Sequence, residues 1–191
     1  MDHKRWLESH IPYRLKAIST LALAWEWRRT WENPKKLAVF FDGELAIEGN
    51  SNAILNPILD SGFVHARALL EFLGLCVIKG RLSNIKDRRH DDVGIECFSV
   101  EGKPLEMVTP EVAFRTYSGP AADVEQALLS IFHLANKGFA HFSSGIKDGQ
   151  WSHDNVATAC KGIPVLVINQ LYLPLGLPAP EYELKGRPRA R

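Results

Sequence analysis

Helical spacing of apolar residues dominates the chain. After Pro12, residues 13–31 set Ile18, Ala22 and Trp25 about a turn apart among Ala, Leu, Lys and Arg, which predicts a helix. Asn33-Pro34 has the form of a cap followed by proline at the first helical position. A second helix is therefore expected over roughly 34–47, ending at Gly49. Asn56-Pro57 repeats that start signal, with Ser51 and Asn52 as alternative caps one turn earlier. From there to Val77, Ile58, His65, Ala68, Leu69, Phe72 and Cys76 gather on one side at about 100° per residue. Asp60, Arg67 and Glu71 lie on the opposite flank.

Residues 79–109 break the helical pattern and read as a long mid-chain loop. Within it Val93, Ile95 and Cys97 alternate with polar neighbours, and Glu101-Gly102 has the form of a turn. A short hairpin fits there, although Pro104 weakens its second strand. Thr109-Pro110-Glu111 opens a short helix to about Tyr117, and Ser118-Gly119-Pro120 resets the chain. Asp123 and Gln126 form a capping box ahead of a stripe made by Val124, Leu128, Ile131, Ala135 and Phe142. That stripe passes Gly138, so the helix is expected to run on through it. A last helix from Asp154 carries Val156, Cys160, Ile163 and Val167, with a kink at Pro164. The fold class so predicted is all-α: a single domain over residues 1–180, a bundle of five or six helices, then a basic disordered tail over 181–191.

Composition narrows the function mainly by exclusion. A formal net charge of +1 creates no field that demands nucleic acid or membrane. Cys76, Cys97 and Cys160 are odd in number, far apart and set in apolar stretches, so they read as buried thiols in a reducing compartment. The first ten residues lack an apolar core, and no apolar run is long enough to span a membrane, so a cytoplasmic protein is expected. Phosphate-binding glycine loops, dinucleotide fingerprints, zinc-ligand spacings, paired Glu-x-x-His motifs and nucleophile elbows do not occur. No cofactor and no metal site is expected.

Three constellations carry candidate chemistry. In "HARALLEF", residues 65–72, His65 falls on the apolar face as a satisfied core histidine or a catalyst. Arg67 either pairs with Glu71 one turn on or reaches another element with bidentate hydrogen bonds. In "RRHDDV", Asp91 and Asp92 beside His90 read as a loop anchor or, less simply, as metal ligands. A pairing of Arg67 with Asp91 or Asp92 would satisfy both stretches. In "NKGFAHF", His133, Lys137 and His141 recur four residues apart on the polar side of one helix, His133 in solvent. Asn136 then lies about 140° round from His141, so the two share a cleft only if the helix bends near Gly138 or a second subunit supplies part of the wall; otherwise they anchor neighbouring helices.

"HARALLEF", "RRHDDVGIECF" and "NKGFAHF", in that order over roughly residues 60–142, resemble a group of uncharacterised prokaryotic small helical proteins related to the HEPN superfamily. That resemblance implies a helical domain of bacterial stress, defence or RNA-processing systems, dimeric and with RNA or protein as partner. In active HEPN ribonucleases an Arg precedes a His, and the pair promotes attack of the RNA 2′-hydroxyl on the adjacent phosphate. His141 matches the His, but the Arg position holds Asn136, followed by Lys137. Asn supplies no positive charge, and Lys137 or Arg67 would have to. The resemblance thus implies a binding or interaction protein with degenerate or no nuclease activity, dimerising through apolar helix faces. The alternative is a metal-independent endoribonuclease using His141 with Lys137 or Arg67. A third reading is a small-molecule enzyme in a bundle cavity lined by His65, His90, Asp91 and Asp92.

Overall fold

The computed structural model describes residues 2–117, 119–138 and 152–184, with Lys137 and Gly138 described by their backbone alone. A short α1 (His3–Arg5) leads through a π-helical turn, Trp6–His10, into α2 (Ile11–Thr30). This helix packs along α3 (Asn52–Phe72) and α6 (His153–Val167), while α5 (Ala121–His133) lies against α6 and α3. Leu15, Ile18 and Leu21 from α2 meet Leu59, Phe63 and Ala66 of α3 and Ile163 of α6 in a core from which water is excluded. Each such side chain contributes about 1.5–3 kcal/mol on burial. The α2–α3 crossing is close because Gly62 presents only backbone: a Cβ there would sit 2.5 Å from that of Leu21. The short α4 (Pro110–Thr116) opens with Thr109, whose hydroxyl accepts from the Val112 amide.

The expected all-α architecture is not what the chain adopts; the fold mixes helices with three two-stranded antiparallel sheets. The helix expected over 34–47 is a hairpin, β1 (Lys36–Phe41) against β2 (Glu44–Asn50), with a bulge between Val39 and Phe40. Two further hairpins, β3 (Leu75–Ile78) with β4 (Arg81–Asn84) and β5 (Ser99–Val100) with β6 (Lys103–Pro104), fill much of the expected loop. One device explains all three. Asp42-Gly43, Lys79-Gly80 and Glu101-Gly102 each take positive φ at both residues, 50° and 88°, 50° and 78°, 51° and 79°. This left-handed pair matches the strand twist, and glycine at its second position removes the steric cost. In β1 the run Leu-Ala-Val-Phe-Phe favours the strand, so the Asn33-Pro34 cap signal loses. The third turn stands where Glu101-Gly102 predicted it.

Boundaries move accordingly. The third helix begins at Asn52 behind Ser51 and stops at Phe72 instead of Val77, because Gly74, at φ 101°, turns the chain into β3. A Cβ on Gly74 would also lie 2.6 Å from that of Met107. The fifth helix gives way to a π-helical segment, Leu134–Gly138, and α6 to another, Ile168–Tyr172. The phenol of Tyr172 donates to the carbonyl of Leu7 at 2.7 Å. Of the expected tail, residues 181–184 lie along the body: Tyr182 packs on the core and the Leu184 amide donates to the Ser19 hydroxyl at 2.8 Å. Of the three thiols expected inside, Cys160 is buried, Cys76 half-buried and Cys97 exposed, at the end of a 3-10 turn. No helix among the described residues is long and apolar enough to cross a membrane.

Candidate functional site

A cavity of about 590 Å³ opens between the N-terminal part of α2, the C-terminal half of α3 and the loop after β4. Its wall carries four guanidinium groups, Arg14, Arg67, Arg88 and Arg89, against the carboxylates Glu71, Asp87 and Asp92. Trp6 supplies an aromatic side to the same wall.

Two of the four arginines are tied down. Arg67 and Glu71, one helical turn apart on α3, pair at 2.8 Å through Nη2, and Arg67 Nε donates to the same carboxylate oxygen at 2.9 Å. Both side chains are a little over one-third exposed, so this ion pair adds only about half a kcal/mol. The remaining edge of the fork is committed elsewhere: Arg67 Nη1 donates to Oδ1 of Asn136 in the π turn after α5. The expected partnership of Arg67 with Asp91 or Asp92 is therefore replaced by Glu71 and Asn136. That contact joins two of the three constellations, and the widened π turn breaks the regular helix on which the 140° separation of Asn136 from His141 depended.

Arg88 is the more deeply seated cation, its side chain 13% exposed. Its Nε donates to Glu96 at 2.5 Å, and its Nη2 to the carbonyl of Phe72 at 3.1 Å, one of the orphan acceptors at the end of α3. Gly94 makes room for this clamp, since a Cβ there would press on both Glu96 and the Arg88 guanidinium. Arg14 and Arg89 have no ion-pair partner among the described residues. Together with Asp87 and Asp92 on the same wall, they are the charged groups of the cavity not held in an ion pair among the described residues.

The second constellation separates into a loop anchor and a solvated pair. Asp92 Oδ2 accepts from the Arg89 amide at 3.3 Å, and its own amide donates to the Arg89 carbonyl at 3.1 Å, closing the loop on itself. His90 and Asp91 stand 3.9 Å apart with side chains 97% and 72% exposed. No group of three or more potential ligands gathers around a metal position among the described residues. His65 is half-buried with its ring edge-on to Tyr13 at 5.1 Å. Burial, and then the nearby Arg14 charge, hold its imidazole below the ordinary histidine value. Of His65, His90, Asp91 and Asp92, only Asp92 lines this cavity, so the four are not brought together on its wall. His133, expected in solvent, is half-buried. Lys137 is described by its backbone only, and His141 lies outside the described residues.

Trp6, Arg14, Arg88 and Arg89 escaped the motif reading because they belong to three separate stretches. The signal for Arg88 was present in "RRHDDVG", where a glycine two residues beyond a charged run marks a close approach. No known family model matches the chain, and neither a curated protein nor a solved structure matches it.

Proposed function

We propose that this chain is an RNA-binding protein related to the HEPN superfamily, with weak or no nuclease activity. One observation carries the reading: Arg67, held by Glu71 and Asn136, stands beside a cavity in which Arg14 and Arg89 have no ion-pair partner among the described residues. Phosphodiester oxygens satisfy guanidinium forks, and Trp6 offers a face for an unpaired base. With two cations to neutralise phosphate, the logarithm of affinity should fall against the logarithm of salt with a slope of about −1.4. Fluorescence anisotropy with single-stranded RNA over a salt series tests this. Replacing Arg14 or Arg89 with Ala should weaken binding and flatten the slope by about 0.7 each. Absence of RNA binding at low salt overturns the reading.

The contact between Arg67 and Asn136 also favours a second reading, a metal-independent endoribonuclease. Here Arg67 supplies the charge that Asn136 lacks, and His141 serves as general base or acid. A cleavage time course without added metal, comparing wild type with His141→Ala and Arg67→Ala, decides it. Activity lost in both variants supports catalysis; an inactive wild type that binds RNA leaves the binding role.

A further inference from the structure

The hairpin β1–β2 projects from the helical body, packing substantially only on itself. All of β2 is exposed, and Phe40, Phe41, Leu45 and Ile47 are 59%, 67%, 51% and 40% exposed. A two-stranded sheet alone in water is marginal; three or more strands with an apolar face are needed for stability. Both edges of this sheet carry unpaired backbone groups.

We propose that this arm is a homodimerisation element, in which β1 pairs antiparallel with β1 of a second copy about a two-fold axis at Val39. Three features of the sequence select this occupant. First, the arm is polarised: Lys35 and Lys36 stand at its base, Asp42 and Glu44 at its tip. Antiparallel pairing of two copies sets basic base against acidic tip at both ends, Lys36 beside Asp42 of the other chain. Second, a register centred on Val39 places Leu37 opposite Phe41 and Ala38 opposite Phe40, so cross-strand partners keep their own face. Leu37, Val39 and Phe41 share a side with Ile47, and that apolar stripe becomes continuous across four strands. Third, β1 contains no proline and no charge between Lys36 and Asp42, and the extra residue of the bulge, Ala46, belongs to β2, so β1 itself carries no inserted residue. The interface lies on the hairpin and is independent of the RNA reading.

The test is molar mass in solution together with site-specific cross-linking. Paired antiparallel residues lie about 4.5–5.5 Å apart at Cα, inside the disulfide range. In a chain with Cys76 and Cys97 replaced by Ser, Val39→Cys should oxidise to a linked dimer and Ile47→Cys, on the other strand, should not. Wild type should run at twice the chain mass, and Lys36→Asp should raise the dissociation constant several-fold. A wild type that stays monomeric at every soluble concentration overturns the proposal. So does a dimer linked through Ile47→Cys and not Val39→Cys, or one indifferent to Lys36→Asp.

Discussion

Arg67 on α3 donates through Nη1 to Oδ1 of Asn136, fastening the π turn after α5 to the middle of the bundle. Replacing Asn136 with Ala removes that acceptor and should cost about 1.5–3 kcal/mol, the range for a hydrogen bond to a charged group. Asn136→Arg should cost more, because two guanidinium groups then face each other. Urea unfolding of the two variants against wild type measures both, and an Arg variant as stable as wild type would contradict the contact.

Gly94 is where the loop lets Arg88 reach Glu96. Gly94→Ala drives a methyl group into that pair and should destabilise by roughly 2–4 kcal/mol, through crowding and a half-buried cation left unmatched. The double variant Gly94→Ala with Glu96→Ala relieves the crowding at one side, so its loss should be less than the sum of the single losses. Strict additivity in thermal or chemical unfolding would refute the clamp.

Tyr117 rests against Gly162 of α6, and its buried hydroxyl has no hydrogen-bond partner among the described residues. Burial pushes this phenol well above its ordinary value. Tyr117→Phe removes an unsatisfied polar group and should leave stability unchanged or raise it by about 1 kcal/mol. Gly162→Ala should instead expel the ring, with a loss of about 3 kcal/mol. A clear loss in the Phe variant would mean that the hydroxyl is bonded.

Acid should weaken the fold through two histidines. Burial holds both His65 and His153 below the ordinary value of 6.5, with Arg14 adding to the effect at His65 and Arg29 at His153. The unfolded chain therefore binds protons that the folded chain refuses, and stability rises with pH. Their contribution is complete above the unfolded value and is lost as pH falls from about 6.5 through the lower folded values. Unfolding midpoints at pH 7 and pH 5 should differ by less in His65→Gln than in wild type. An unchanged difference would remove His65 from the cause.

Reading the chain by periodicity captured α2, α3, α5 and α6, because their apolar faces are long and regular. It failed at residues 36–50, where a proline cap signal outweighed Asp42-Gly43 between two apolar runs, the stronger local feature. The pair Arg67–Glu71 was legible, being one helical turn apart. Its extension to Asn136 was not, since 69 residues separate the two and the π turn that aims Asn136 has no sequence signature. Arg14 and Trp6 reach the cavity only through the way α2 crosses α3, which spacing along one segment does not encode.

The hydrogen bond from Tyr172 to Leu7 spans 165 residues, and α2 packs on α6 as well as on α3. The first long helix therefore cannot complete its packing until α6 has been made. At synthesis rates of about 5–20 residues per second, α2 waits on the order of ten seconds for α6 to emerge. Throughout that interval α2 has α3 to pack against, while the side of the core that Ile163 of α6 later covers stays open.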